Sequence, residues 1–238
     1  MVRSKVLSTK ELKASLVEQV KEKGIELVQK DFISIKPLSG LDEKIKLLLE
    51  EETLVFTSAN AVNYIGKFLT NSQHRKKAYQ VFCLGGKTKQ AVLQNGFDEV
   101  QIKAEGENAS ALAEKIIDSG VKEVVFFCGS KRREELPSVL ANAGIKVDEL
   151  AVYETIERPF KYDEDFDGVL FFSPSAVSSF FSNNHLKETS VCFTVGETTA
   201  DAVKQHTSNK IIISKEPSQE EIINEVITYF QNINQYND

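Results

Sequence analysis

Five short segments place small polar residues and glycines directly after apolar runs that are typical of β-strands. They are Thr57-Ser58-Ala59-Asn60, Gly85-Gly86-Lys87-Thr88, Cys128-Gly129-Ser130-Lys131, Ser173-Pro174-Ser175 and Gly196-Glu197-Thr198-Thr199. Open parallel sheets bind ligands outside the carboxyl ends of their strands, and N–H groups at the start of the following helices attract anions. The segments therefore predict a cleft for an anionic ligand. The alternative is that these serines and threonines only cap helices.

Other catalytic chemistry has little support in the sequence. The histidines His74, His185 and His206 lie outside all five segments, and no nucleophile elbow, phosphate-binding loop or dinucleotide fingerprint occurs. The basic run Lys131-Arg132-Arg133 lies beside one segment, but the two glutamates that follow could balance it as a solvated turn. These patterns favour binding and conformational control with one general acid at most, and they predict no metal site.

Composition and charge exclude several classes of function. The 238 residues carry a formal net charge of −6, so a broad basic surface for nucleic acid is not expected. No apolar run approaches the roughly 18 residues of a membrane span, and the first residues form a short apolar strand rather than a signal peptide. The three cysteines, Cys83, Cys128 and Cys192, are widely spaced, which indicates free buried thiols in a reducing cytoplasm.

Strand-like runs alternate with amphipathic helical patterns along the whole chain. The predicted strands are Lys5–Ser8, Glu26–Ile35, Thr53–Thr57, Gln80–Leu84, Glu123–Cys128, Glu149–Thr155, Gly168–Phe172, Val191–Val195 and Lys210–Ile213. The predicted helices include Glu11–Lys23, Asn60–Leu69, Ala109–Ser119, Glu134–Ala143 and Gln219–Gln231. This alternation indicates parallel sheets flanked by helices.

An internal repeat indicates two lobes. Residues 56–62 align with 171–177, and residues 85–92 align with 196–203, in the same order of strand, turn and helix. Convergence between similar strand–turn–helix units is the alternative explanation.

Two unusually long strand-like runs, Glu26–Ile35 and Val147–Thr155, each end close to a proline. Because proline stops a strand ladder, we interpret them as a pair of connectors between the lobes and expect a hinge there.

Taken in order, the strand ends resemble the uroporphyrinogen-III synthase family. The matching segments are Phe56–Val62, Phe127–Pro137, Val152–Thr155, Phe171–Val177 and Val195–Ala200. Three positions depart from the usual family pattern: Thr9-Lys10 and Cys128-Gly129 each lack a common arginine, and Lys89 replaces a small residue. Individual side-chain contacts can therefore differ from those of other members.

The resemblance implies an α/β fold of two flavodoxin-like lobes, each a parallel sheet flanked by helices, joined by a two-stranded connector. Residues 1–35 and 156–238 would form one discontinuous lobe, and residues 36–155 an inserted lobe. It also implies a cyclising hydro-lyase of haem biosynthesis without a cofactor. Its substrate would be hydroxymethylbilane, a linear tetrapyrrole with eight carboxylates, closed to uroporphyrinogen III through a spiro intermediate that inverts the last pyrrole ring. We expect a cytoplasmic monomer, and a contact with the preceding pathway enzyme is left open.

The resemblance assigns site residues as well. Tyr153 falls on the motif tyrosine, whose phenol could protonate the departing hydroxyl; the alternative is a strand residue that packs the hinge. The family's motif serines and threonines fall on Ser58, Ser173, Thr88, Thr198 and Thr199 and are expected to bind the substrate. The polar turns themselves add Ala59, Asn60, Gly129, Ser130 and Ser175 to the expected substrate-binding residues. Since the substrate closes unaided without inverting its last ring, the enzyme must impose one conformation on it.

Two rival classes follow from the same residues. A non-enzymatic two-lobed binding protein for an anionic small molecule would share the fold, the polar strand ends and the missing catalytic motifs. A response-regulator-like module would need an acidic phosphorylation pocket, and no strand end supplies its aspartate.

Overall fold

The structure is a computed structural model that describes residues 4–70, 77–131 and 134–235. The predicted basic residues Arg132 and Arg133, and His74, lie outside the described residues. The strands are β1 (Lys5–Ser8), β2 (Glu26–Gln29), β3 (Ile33–Pro37), β4 (Thr53–Phe56), β5 (Gln80–Leu84), β6 (Ile102–Gly106), β7 (Glu123–Gly129), β8 (Lys146–Glu157), β9 (Gly168–Phe171), β10 (Val191–Thr194) and β11 (Lys210–Ile213). The helices are α1 (Ala14–Glu22), α2 (Asp42–Leu48), α3 (Ala59–Thr70), α4 (Lys87–Gln94), α5 (Ala109–Asp118), α6 (Glu135–Asn142), α7 (Pro174–Phe181), α8 (Glu197–Lys204) and α9 (Gln219–Gln235).

The chain divides into two compact units, one made of Met1–Ser34 and Ile156–Asp238 and the other of Ile35–Thr155. The first unit contains a five-stranded sheet in the order β11-β10-β9-β1-β2, in which all neighbours are parallel. Numbered within the unit, this is the 2-1-3-4-5 order of flavodoxin. The predicted α/β fold class is confirmed.

The second unit contains a six-stranded sheet in the order β3-β8-β7-β4-β5-β6. Numbered from β4, its parallel strands β6-β5-β4-β7-β8 follow the doubly wound order 3-2-1-4-5, and β3 lies at the edge beside β8. The sequence patterns missed β6 because its residues alternate between half-buried and exposed at the sheet edge, apart from the closing Gly106.

Both sheets are buried on both faces. In the second unit Phe56 and Phe127 belong to one apolar cluster, whereas their neighbours Val55 and Phe126 belong to a separate cluster. Alternate residues of a strand point to opposite faces, so helices cover each side. This explains why strands such as β4 are apolar throughout rather than alternating.

The prediction of one long strand over Glu26–Ile35 is wrong. The run breaks into β2 and β3, which belong to different sheets. The break falls at Lys30–Phe32, where the Asp31 carboxylate accepts the Glu11 N–H at 2.9 Å and Phe32 is fully buried. Apolar periodicity detects strand-like residues but not the sheet that they join.

The second predicted connector is longer than expected, because β8 continues unbroken from Lys146 to Glu157. The strand β3 lies beside β8 at the sheet edge. Hydrogen bonds join Leu38 N–H to Val152 O and Arg158 N–H to Phe32 O. Because the residue numbers run in opposite directions, β3 and β8 are antiparallel.

Candidate active site

Four of the predicted site residues meet at the carboxyl edge of the six-stranded sheet. Ser58 lies between β4 and α3, Gly129 closes β7, Ser130 follows it, and Tyr153 lies on β8. In the order of this sheet, β7 lies between β4 and β8. Parallel topology therefore gathers residues that are far apart in the chain.

The Tyr153 side chain reaches across β7 to the start of α3. Its hydroxyl donates to Ser58 Oγ at 3.0 Å. Ser58 Oγ also accepts the backbone N–H of Asn60, in the first turn of α3, at 3.2 Å. Ser58 is therefore both the cap of α3 and the hydrogen-bond partner of the phenol.

A β-bulge directs Tyr153 toward this edge. Cys128 pairs with Ala151, but the next residue, Gly129, pairs with Tyr153, so Val152 is the extra residue. Bulges of this kind bend a strand and change the direction of a side chain. The Ser130 N–H donates to Tyr153 O at 2.9 Å and resumes the pairing beyond the bulge.

Gly129 provides the space that the phenol ring occupies. A Cβ atom added at Gly129 would lie 2.7 Å from Tyr153 Cζ and 2.9 Å from its hydroxyl oxygen. Any other residue at this position would displace the ring. The sequence motif contained this glycine, but nothing in the sequence indicated that it contacts the tyrosine.

The start of α4 lies next to this cluster along the sheet edge. Gly86 is its N-cap residue and provides no side-chain cap, and Thr88, in the first turn, is only 7% exposed. The neighbouring Lys89 binds Glu99 at 3.0 Å and Glu105 at 3.3 Å. Hydrogen bonds to Glu99 and then Glu105 raise the pKa of Lys89 above its usual range, so this departure from the family pattern is neutralised by its own neighbours.

Ala59 and Asn60 begin α3 in the second unit. The remaining predicted residues lie in the first unit, at the carboxyl ends of β9 and β10. Ser173 caps α7, because its Oγ accepts the Ala176 N–H at 3.2 Å, and Ser175 lies in the first turn of that helix. Thr198 and Thr199 lie in the first turn of α8, Thr198 exposed and Thr199 buried. The N-cap residue of α8, Gly196, provides no side-chain cap.

Two features of the first unit did not follow from the predicted motifs. Thr9, where many members carry a neighbouring arginine, is buried and donates from Oγ1 to Leu170 O at 2.7 Å, which ties β1 to β9. Thr194 ends β10 fully buried, and its hydroxyl has no hydrogen-bond partner among the described residues. The sequence signal that could have indicated Thr194 is a polar residue at the end of an otherwise apolar strand.

The described part of the chain shows no metal-binding group, and His206 makes an aromatic contact. His206 stacks on Phe181 with ring centroids 4.9 Å apart. Within residues 4–70, 77–131 and 134–235, no group of three or more His, Cys, Asp or Glu could hold a metal ion. The same residues form no helix long and apolar enough to cross a membrane.

Fold and site define a two-unit α/β protein with a tyrosine–serine pair at one sheet edge. The family model described as uroporphyrinogen-III synthase HemD matches residues 14–224. The chain therefore belongs to the uroporphyrinogen-III synthase family. It is similar to uroporphyrinogen-III synthase of Saccharomyces cerevisiae, with 25% identity over 211 residues that cover 74% of this chain and 75% of the yeast protein.

Solved structures of the family share the fold. The Helicobacter pylori uroporphyrinogen-III synthetase superposes with a TM-score of 0.67 at 18% identity, covering 95% of this chain and 99% of the other. A mutant Thermus thermophilus uroporphyrinogen III synthase gives 0.71 at 16% identity, covering 98% and 99%. A second crystal form of the Thermus protein, with the wild-type sequence, gives 0.56 at the same identity and coverage.

Proposed function

We propose that this chain is a uroporphyrinogen-III synthase, a lyase that removes water from hydroxymethylbilane and closes the macrocycle with the last pyrrole ring inverted. The family match across residues 14–224 carries this proposal. A non-enzymatic binding protein is not favoured by these relationships, because the relatives named above are synthases.

Tyr153 would act as the general acid. Loss of the substrate hydroxyl requires a proton, and a phenol at the sheet edge can donate it. Positioned general acids contribute roughly 10²–10⁴-fold to the rate. The bulge in β8, the space at Gly129 and the bond to Ser58 support this role, because together they hold the phenol in one place.

Backbone N–H groups would bind most of the substrate's carboxylates. Gly86 and Gly196 begin α4 and α8 without side-chain caps, and helix N-termini attract anions. Thr88 is only 7% exposed, so its N–H group rather than its hydroxyl would contact the ligand. Thr199 is 4% exposed and its N–H donates to Gly196 O at 3.1 Å, so it would support the turn from behind. Ala59, Ser175 and Thr198 would contribute in the same way, whereas the N–H groups of Asn60 and Ser130 are already bonded to Ser58 Oγ and Tyr153 O.

The protein would work as a monomer in the cytoplasm. Its three cysteines are buried and not joined in disulfides, which fits a reducing compartment. Light scattering during size exclusion would measure the mass. Chemical cross-linking to the preceding pathway enzyme would test the contact that the sequence left open.

The test of the proposed function is the identity of the product. Freshly prepared hydroxymethylbilane is incubated with the protein, the product is oxidised, and the type I and type III porphyrins are separated. Mostly type III porphyrin is the expected result. Type I porphyrin alone, as in the unaided reaction, would reject the proposal.

A further inference from the structure

We propose that Ser58 is a positioning residue that links the N–H groups at the start of α3 to the Tyr153 phenol and stabilises the phenolate as the substrate hydroxyl leaves. The inference rests on the proposed function and extends it to a second residue. It begins from one observation: Ser58 Oγ bonds both Asn60 N–H, at 3.2 Å, and the Tyr153 hydroxyl, at 3.0 Å.

The serine hydroxyl can reverse its bond to the phenol. A hydroxyl accepts two hydrogen bonds and donates one, and the Asn60 N–H occupies one acceptor position of Ser58. In the free protein the phenol donates to Ser58. Once a leaving hydroxyl provides another acceptor, the phenol proton can turn to it, and the Ser58 proton can turn to the phenol oxygen.

The reversed bonds form a chain from Asn60 N–H to Ser58, from Ser58 to Tyr153, and from Tyr153 to the leaving group. Successive hydrogen bonds polarise one another. The positive end of the α3 dipole lies at the head of this chain. Negative charge that develops on the phenol oxygen is therefore met by a donor that the helix itself polarises.

The proton balance of the step is complete. Tyr153 gives its proton to the departing oxygen as the carbon–oxygen bond breaks, and water leaves. The phenolate then accepts the Ser58 hydrogen bond while Ser58 keeps its proton. When the new carbon–carbon bond closes the ring, the pyrrole carbon releases a proton, which restores the phenol.

If Ser58 only capped α3, its replacement should affect kcat no more than the loss of a comparable helix cap elsewhere in the protein. Ser218 makes the matched cap of α9, since its Oγ accepts the Glu221 N–H at 3.0 Å. Both serines are half-buried, and Ser218 belongs to neither the proposed acid nor the proposed binding turns. Ser218→Ala therefore removes a similar cap without affecting a phenol.

The experiment is a double-mutant cycle read as kcat and KM. Ser58→Ala is expected to lower kcat about 10- to 100-fold and to leave KM within a few-fold of wild type. This loss of kcat is smaller than the roughly 10²–10³-fold loss typical of removing a donor that contacts the transition state directly. Ser58→Thr keeps the hydroxyl and should stay within a few-fold of wild type, as should Ser218→Ala. In the Tyr153→Phe background, Ser58→Ala should lower kcat no further, because coupled residues are not additive.

Three results would overturn the proposal. If the fold-loss of kcat in the double variant equalled the product of the two single-variant losses, Ser58 would act independently of the phenol. A rise in KM with unchanged kcat would make Ser58 a substrate contact. If Tyr153→Phe kept the wild-type kcat, Tyr153 would not be the acid and Ser58 could not assist it. Type III product from that same variant would still support the proposed synthase activity, so the two proposals fail separately.

Discussion

The Tyr153 hydroxyl lies 3.0 Å from Ser58 Oγ, although 95 residues separate the two in the chain. Parallel strand order brings them to one sheet edge, and a bulge with a facing glycine fixes the ring. This pair gives the protein a defined donor at the place where strand ends of an open sheet bind ligands.

Replacing Tyr153 by phenylalanine should separate chemistry from binding. Removing the phenol proton should lower kcat by roughly 10²-fold or more. The ring and its packing survive, so KM should change little, and the residual product should remain mostly type III. Steady-state kinetics with isomer analysis measure all three. Activity within a few-fold of wild type would exclude Tyr153 as the acid, and a switch to type I product would give it a shape-determining role instead.

Gly129→Ala should destabilise the protein through Tyr153. The new Cβ would lie 2.7 Å from the ring, and overpacking of this kind costs about 1–3 kcal/mol. In a Tyr153→Ala background the ring is absent, so the same change should cost close to nothing. Urea unfolding of the four proteins gives the coupling free energy.

Gly85→Ala is the control for this cycle, because its nearest non-neighbouring atom, Gly106 O, lies 3.8 Å from the added Cβ. Equal destabilisation by Gly129→Ala with and without the Tyr153 ring would contradict the packing argument.

Resemblance and periodicity predicted the fold class and named Ser58 and Tyr153 as candidates, but they did not predict the contact between these two residues. Strand–helix alternation was sufficient for the α/β class, and the motif identified both Ser58 and Tyr153. The contact between them depends on strand order and on the bulge at Val152, which arises from pairing between distant segments. No local pattern encodes such pairing. The split of the run at Lys30–Phe32 was missed for the same reason.

The cysteines should resist thiol reagents while the protein is folded. Burial, together with the nearby charge of Glu105, raises the pKa of Cys83 to about 11, and burial raises that of Cys192 to about 12; Cys128 is buried as well. Because the thiolate is the reactive form, labelling at pH 8 should be slow and should accelerate in urea until all three thiols react. Rapid labelling of one thiol in the folded protein would contradict this packing.

Asp167 should make stability depend on pH. Burial alone would raise its pKa, but hydrogen bonds from Lys187 and the Lys5 N–H outweigh burial and hold the pKa below its usual range. Such a carboxylate contributes stability above the unfolded pKa of about 3.9 and loses it as pH falls through the folded pKa. The urea midpoint of Asp167→Asn should therefore fall furthest below wild type above about pH 5, and the difference should shrink in acid.

Asp163→Asn is the control for this pH series. Its carboxylate is 93% exposed and lies 3.7 Å from Lys161, and exposed pairs contribute little. A midpoint difference for Asp167→Asn that does not change with pH would contradict the assignment.

The most direct test of synthase activity is the isomer composition of porphyrin formed from hydroxymethylbilane across a series of protein concentrations. Unaided closure competes in every sample, so the type III fraction reports the enzyme against an internal standard. Type III porphyrin should rise from a trace to nearly all of the product as the protein concentration increases, while the protein stays far below the substrate in concentration. A product that stays type I at every protein concentration, or that changes only when protein equals substrate, would contradict catalysis.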